Sequence, residues 1–198
     1  MEAGVIILAG GKSSRMGKNK ALLPINGITS IERIKNSISR DFPNILIVAN
    51  DEELYQFLNV PIIEDNIKEK GPLAGMQAGL MAAEYMTNVF IACDMPFISS
   101  ELAKALVERS DGFDAVVPVI NGKRHLLFAV YKKEVLKAID ECFKNDELSL
   151  KQLVDRIKVN YVTEKDLTEV SDLEQVFYNM NHPYEYEDAK KIAKKDLN

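Results

Sequence analysis

The chain has 198 residues, of which 46% are hydrophobic and 28% are charged, a composition that excludes disordered, collagen-like and coiled-coil proteins. Its net charge of −5 argues against general binding to nucleic acid. Two cysteines, Cys93 and Cys142, lie in unrelated segments and form neither a disulfide framework nor a zinc site, so a reducing cytoplasmic location is expected.

The length fits one large domain better than two, at about 150 residues per domain. We therefore expect residues 1–198 to form a single domain. The first apolar run, Val5–Ala9, is far shorter than the ~20 residues of a membrane span. Neither a membrane segment nor a membrane partner is expected.

From the amino terminus to Ile120, short apolar runs alternate with helical patterns. The first, second and fourth runs are almost wholly apolar, as in strands covered on both faces. The predicted strands are Val5–Ala9, Asn44–Ala49, Val60–Ile63, Asn88–Ala92 and Ala115–Ile120. The predicted helices are Ser30–Arg40, Glu52–Leu58, Pro72–Tyr85 and Ser100–Arg109, with Pro72 in a first turn and Ser100 as a cap. This order predicts a three-layer α/β/α fold around a mainly parallel sheet.

After Ile120 the pattern changes. Asn121-Gly122 is typical of a hairpin turn, so the following segment is expected to return antiparallel. The later predictions are an antiparallel strand at Arg124–Tyr131, a helix at Lys132–Phe143, strands at Ile157–Val162 and Val176–Met180, and a terminal helix at Pro183–Leu197.

The loop after the first strand is rich in glycine and positive charge. Between Ala3 and Ile31 the chain has no acidic residue. Glycines at 10 and 11 allow successive backbone N–H groups to turn toward an anion. The loop carries four cations, at Lys12, Arg15, Lys18 and Lys20. In open parallel sheets ligands bind where strands end, so this loop predicts a cradle for the phosphates of a small polyanion.

Other candidate residues follow the remaining strands. Asp94 comes directly after the fourth strand, and one carboxylate together with substrate phosphates is enough to hold Mg²⁺. Gly71–Gly75 opens a helix whose free N–H groups could face a base or phosphate. Asn50 and Asp65 could hydrogen-bond a base or ribose. Taken alone, Asn50, Asp65 and Asp94 are each more often turn residues.

Together these segments resemble the molybdenum cofactor guanylyltransferases, a branch of the nucleotidyltransferases with a Rossmann-like fold. The resemblance covers nearly the whole chain. Its most specific parts are Leu8–Gly11 with Arg15–Gly17 and Lys20, then Gly71–Gly75, then Cys93–Phe97. Leu127–Tyr131 and Asn179–Pro183 match more weakly.

The resemblance implies that GMP is transferred from GTP to the terminal phosphate of molybdenum-molybdopterin and that pyrophosphate is released. It implies a nucleotide site formed by Leu8, Ala9, Gly10, Lys20, Asn50, Asp65 and Asp94, to which the glycine patterns add Gly11 and Gly75. Mg²⁺ is expected on Asp94, and Arg15, Lys20 and Asp94 are the expected catalytic residues. The carboxyl-terminal half is expected to face the pterin, with Asn179 and Asn181 as candidates. Proteins that deliver the cofactor or mature molybdoenzymes are implied as transient partners.

The chain departs from the family pattern at three positions, with Asn19 in place of Asp, Leu126 in place of Pro and His182 in place of Thr. The last two fall in the half expected to face the pterin. The alternatives are a cytidylyltransferase acting on the same cofactor, a sugar-phosphate nucleotidyltransferase, and a non-catalytic nucleotide-binding chaperone for cofactor insertion. Lys20 together with Asp94 argues against the last, because nucleotide binding alone needs no metal-aligned triphosphate.

Overall fold

The computed structural model describes residues 2–10, 19–65 and 71–195. Across these ranges no helix has both the length and the apolar character that crossing a bilayer requires. The loop residues Gly11 and Arg15 lie outside the described ranges.

A mixed sheet forms the centre of the fold. Its strand order is β10-β7-β9-β6-β1-β4-β5, with the short β8 paired to β7. The pairs on either side of β9 are antiparallel, and β1 is parallel to both β4 and β6. The strands are β1 (Ala3–Leu8), β2 (Pro24–Ile25), β3 (Ile28–Thr29), β4 (Ile45–Val48), β5 (Ile62–Ile63), β6 (Thr87–Ala92), β7 (Ala115–Ile120), β8 (Lys123–Arg124), β9 (Phe128–Lys132) and β10 (Val159–Thr163). The mainly parallel sheet with an antiparallel portion in the second half confirms the predicted fold class.

Helices cover both faces of the sheet. They are α1 (Ser30–Ile38), α2 (Gly71–Ala82), α3 (Ser100–Glu108), α4 (Leu136–Lys144), α5 (Leu150–Val154), α6 (Leu173–Val176) and α7 (Pro183–Lys195). Successive side chains of β1 point to opposite faces: Val5 and Ile7 pack in the cluster that contains α1 and α3 residues, whereas Ile6 and Leu8 pack with α2 and α4. Burial on both faces explains why β1 is apolar throughout.

Two predicted elements are wrong. Residues 52–58 form turns and a 3₁₀ helix at Gln56–Leu58 instead of an α-helix, because only Tyr55 and Leu58 of this segment are buried. Residues 176–180 form no strand: Phe177 lies in one core cluster and Met180 in another, so the apolar residues share no face.

The sequence interpretation also missed short elements and misplaced one cap. Asn26-Gly27 turns the β2–β3 hairpin with both residues at positive φ, as this pair favours. The helix α5 was not predicted. Ser99, rather than Ser100, caps α3 by accepting a hydrogen bond from the Leu102 N–H.

The hairpin and α7 meet in a third apolar cluster. Ile25 of β2 packs with Phe97 and with Ala189 of α7. The Tyr186 hydroxyl donates to the Pro24 carbonyl at 2.6 Å. These contacts bring the start of α7 next to the segment that carries Lys20.

Close packing of α2 on the sheet gives a stability prediction. A Cβ at Gly79 would lie 2.6 Å from Ile6 Cγ2 and 3.2 Å from Val48 Cγ2, so Gly79→Ala is expected to lower the free energy of unfolding by about 1–3 kcal/mol. One turn earlier, a Cβ at Gly75 would meet Leu8 Cδ2 at 3.5 Å, an ordinary contact. Gly75→Ala should therefore lose no stability and gain up to ~1 kcal/mol of helix propensity. Urea unfolding of both variants checks this, and equal stabilities would contradict the close contact between α2 and β1.

Candidate active site

A cleft of about 860 Å³ opens at the carboxyl ends of the parallel strands. This is the edge where open α/β sheets bind ligands. The predicted nucleotide-site residues that line it are Leu8, Ala9, Gly10, Lys20, Asn50, Asp65, Gly75 and Asp94. Residues from distant parts of the sequence are thus gathered around one cavity large enough for a nucleotide.

The side chain of Lys20 contacts both the carboxyl-terminal segment and Asp94. Its Nζ donates to Asn181 Oδ1 at 2.8 Å and lies 4.0 Å from Asp94 Oδ2. The Lys20 and Asp94 side chains are only 16% and 23% exposed. Partial burial strengthens their interaction with each other and with any phosphate that enters.

Two hydrogen bonds hold the backbone at Asp94 and at the residue before it. The Asp94 carbonyl accepts the Met180 N–H at 2.9 Å, and the preceding Cys93 carbonyl accepts the Ser30 hydroxyl at 2.9 Å. Burial raises the pKa of the Asp94 carboxyl, and the positive charge of Lys20 opposes that rise. The carboxylate therefore gains stabilisation from any further positive charge in the cleft.

The two pterin-side candidates differ in position. Asn181 contacts Lys20 directly, and its N–H donates to Glu185 Oε2, which also accepts the His182 N–H at 2.8 Å. Glu185 thus caps the start of α7 and fixes Asn181 beside the cleft. Asn179 makes a local contact, with Nδ2 donating to the Phe177 carbonyl at 2.9 Å.

Cys93 lines the cleft but is not suited to act as a nucleophile. Burial, followed by the negative charge of Asp94, raises the pKa of its thiol to about 12. The reactive form of cysteine is the thiolate. Cys93 therefore remains a neutral thiol at physiological pH.

The cleft residues that the sequence interpretation missed include Asp51, Leu54 and Tyr55. Asp51 directly follows Asn50 and shares its position after β4. Leu54 and Tyr55 fall in the segment wrongly predicted as a helix, where a helical face offers no reason to place them at the cleft. All three residues could have been proposed from their position in the loop after β4, since loops at that edge of the sheet carry ligand contacts.

Within the described ranges no group of three or more His, Cys, Asp and Glu side chains is arranged to hold a metal ion. A metal held mainly by substrate oxygens needs no such group. The described lining of the cleft includes the carboxylates of Asp51, Asp65 and Asp94.

Comparison with known proteins identifies the enzyme class of this chain. Residues 5–160 match the MobA-like NTP transferase domain family. The chain is therefore an enzyme of the nucleotidyltransferase class.

Individual relatives narrow the class further. A "Probable molybdenum cofactor guanylyltransferase" of Pelotomaculum thermopropionicum is 36% identical over 98% of this chain and 94% of the relative. One of the same name from Carboxydothermus hydrogenoformans is 35% identical over 95% of each chain. The crystal structure of molybdopterin-guanine dinucleotide biosynthesis protein A from Archaeoglobus fulgidus has a TM-score of 0.84 and 25% identity, covering 97% of this chain and 99% of that one. The chain belongs to the molybdenum cofactor guanylyltransferase family.

Proposed function

We propose that this enzyme transfers GMP from GTP to the terminal phosphate of molybdenum-molybdopterin, forming the guanine dinucleotide cofactor and releasing pyrophosphate. The observation that carries the proposal is the Lys20–Asp94 pair, which lies in the strand-end cleft and whose Lys20 ammonium donates to Asn181 in the carboxyl-terminal segment. This pair is where a triphosphate in the cleft would meet a second substrate beside α7. The names of relatives that match nearly the full length support the same reaction.

Asp94 is the residue that would hold Mg²⁺, and its chemistry fits that ion. The carboxylate is partly buried, its pKa is raised by burial, and only Lys20 at 4.0 Å is near enough to be an ion-pair partner among the described residues. Mg²⁺ is commonly bound by one or two carboxylates together with substrate phosphates. When bound, the ion would supply positive charge to the phosphate oxygens.

The protein's own catalytic contribution is alignment and charge. Lys20 stabilises negative charge on the transferred phosphoryl group and on the leaving pyrophosphate, and we propose the same role for Arg15. The attacking phosphate, with a second pKa of about 6, is largely a dianion at neutral pH and needs no general base. His125 is not suited to act as a general base. Burial, followed by the positive charge of Lys123, lowers the pKa of its imidazole to about 4.

The remaining site residues divide between the two substrates. We assign GTP to Leu8, Ala9, Gly10, Gly11, Asn50, Asp65 and Gly75, together with Lys20 and Asp94. We assign the pterin side to Asn179 and Asn181. In this proposal residues 1–198 are one nucleotidyltransferase domain, with the nucleotide in the amino-terminal half and the pterin facing the carboxyl-terminal half.

The proposal also includes a cellular location and protein partners. We propose a cytoplasmic enzyme, in keeping with the two free cysteines, Cys93 and Cys142. Its partners would be the proteins that deliver molybdopterin and those that mature molybdoenzymes, in transient contact with the cleft.

The reaction predicts a nucleotide preference that can be measured. With Mg²⁺ and molybdenum-molybdopterin, pyrophosphate release from GTP is expected to exceed that from CTP or ATP by at least ~10²-fold, because a pocket that hydrogen-bonds one base leaves polar groups unpaired with another. Release should depend on the acceptor, and the dinucleotide should appear in equal amount by mass spectrometry.

Each alternative gives a different result in this assay. Equal rates with CTP and GTP would overturn the predicted selectivity, and a faster rate with CTP would indicate a cytidylyltransferase. Turnover with a sugar phosphate in place of the pterin would indicate a sugar-phosphate nucleotidyltransferase. Binding of GTP without any pyrophosphate release would support a non-catalytic chaperone. The names of the relatives favour none of these three.

A further inference from the structure

We propose that Tyr55 is a positioning residue, whose hydroxyl ties the segment carrying Lys20 to the end of strand β1. The hydroxyl accepts a hydrogen bond from Asn19 Nδ2 at 2.8 Å and lies 3.2 Å from the Ala9 carbonyl, to which it donates. Ala9 directly follows β1, and Asn19 directly precedes Lys20. One buried hydroxyl thus joins the two described ends that flank residues 11–18.

The direction of each hydrogen bond follows from the groups involved. Asn19 Oδ1 accepts the Ala21 N–H at 3.1 Å, so the amide faces Tyr55 with its nitrogen, which can only donate. The tyrosine oxygen must therefore accept, and its single proton is left for the Ala9 carbonyl. An aspartate at position 19 would offer only acceptors and would compete with Ala9 for that proton.

The hydroxyl is a fixed point because the ring beneath it is packed. Tyr55 is 2% exposed and belongs to the core cluster that also contains Ile7 and Ala9. Burial raises the pKa of its hydroxyl, so the proton needed for the Ala9 contact is retained at physiological pH. The position of the hydroxyl is set by the core and not by the loop.

The effect of this contact passes to Lys20 through the backbone. Asn19 is the cap of the 3₁₀ helix Lys20–Leu22, so fixing the Asn19 side chain fixes the first residue of that helix. At the far end of the Lys20 side chain, Nζ donates a hydrogen bond to Asn181. Lys20 is therefore constrained at both its backbone and its ammonium group.

This inference rests on the proposed function, and its test uses Mg·GTP binding as well as turnover. Tyr55→Phe keeps the ring and removes the hydroxyl. The matched control is Tyr85→Phe. The Tyr85 hydroxyl also accepts from an asparagine, Asn44 Nδ2 at 2.7 Å, but the Tyr85 ring lies beside Gly4, at the opposite end of β1. We expect Tyr55→Phe to weaken GTP binding and to lower kcat/KM by roughly 10- to 100-fold, as displaced catalytic groups do, and Tyr85→Phe to change neither.

A second comparison separates positioning from a general structural role. In a Lys20→Ala background, Tyr55→Phe should produce no further loss of GTP affinity, because the hydroxyl acts through Lys20. Independent, additive losses in the two variants would overturn the proposal. So would wild-type affinity and turnover in Tyr55→Phe.

Asn19→Ser provides the same test from the other side of the hydrogen bond. Serine can still cap the 3₁₀ helix but is too short to reach Tyr55, so this variant should reproduce the losses of Tyr55→Phe even if that protein folds poorly. Normal GTP affinity and turnover in Asn19→Ser would also overturn the proposal. If wild-type protein binds Mg·GTP but releases no pyrophosphate, the proposed function fails while the affinity comparisons still test Tyr55.

Discussion

Asp94→Asn is expected to lower turnover by roughly 10²–10⁴-fold while leaving the protein folded. Asparagine keeps the size and turn geometry of the residue but removes the charge that would hold Mg²⁺. Metal ions contribute several kcal/mol to stabilisation of the transition state, and about 1.36 kcal/mol corresponds to tenfold in rate. Pyrophosphate release at saturating Mg²⁺ and GTP measures the effect.

The same substitution should not destabilise the nucleotide-free protein at neutral pH. Burial raises the pKa of the Asp94 carboxyl from its ordinary value of 3.8, so the unfolded chain ionises at lower pH than the folded one. Stability is therefore lost as pH rises above that value, and the carboxylate destabilises the fold at pH 7. Asp94→Asn should match or exceed the wild-type melting temperature at pH 7, and the difference should vanish below about pH 3.8.

A control distinguishes loss of this charge from loss of any charge. Asp140→Asn alters an exposed carboxylate on α4 that accepts a hydrogen bond from Gln77, and it should keep wild-type turnover. A stable Asp94→Asn protein with near wild-type turnover would remove Asp94 from the mechanism. Metal-assisted transfer would then lose its main support in this chain.

Much of the fold follows from local sequence signals. The strands β1, β4 and β6 are largely apolar because both faces are covered. This pattern, together with the alternation of strands and helices, predicted a mainly parallel sheet between helices. The Asn121-Gly122 pair predicted the antiparallel return, which the pairing of β9 with β7 confirms. Gathering of the strand-end residues around one cleft was likewise expected, since parallel strands end at the same edge.

The failures occurred where tertiary contacts decide the conformation. Residues 52–58 have helix-forming composition, but the segment is only seven residues long and buries only Tyr55 and Leu58. Short helices depend on packing for their stability. No local pattern could show that the Tyr55 hydroxyl meets Ala9 and Asn19, because both partners lie more than thirty positions away.

The carboxyl-terminal segment shows the same limit. Asn181 was chosen from a resemblance, and its contact with Lys20 joins residues separated by 161 positions. That contact depends on the third apolar cluster, in which α7 packs against the β2–β3 hairpin. The hairpin itself was missed, so nothing in the sequence interpretation could bring Asn181 and Lys20 together.

Lys20→Ala is expected to weaken Mg·GTP binding and to reduce kcat/KM by roughly 10²–10³-fold, the effect of removing one well-placed donor to a developing negative charge. Affinity and rate should fall together, because a cation that touches phosphate acts in both the ground and the transition state. Calorimetric titration with GTP and steady-state pyrophosphate release measure the two effects. Lys104→Ala is the control, since Lys104 pairs with Asp41 on the surface and should cost at most about 1 kcal/mol of stability and no activity.

Lys20→Ala should also change the pH dependence of the reaction through Asp94. The charge of Lys20 lowers the pKa of the Asp94 carboxyl against the effect of burial, so removing Lys20 allows that pKa to rise further. Because the proposed role of Asp94 requires the ionised form, activity is lost as pH falls through this pKa. The acidic limb of the kcat/KM profile should therefore move to higher pH in Lys20→Ala and stay in place in Lys104→Ala. An unshifted limb together with unchanged GTP affinity would place Lys20 outside the site and leave the cationic segment as a solvated surface.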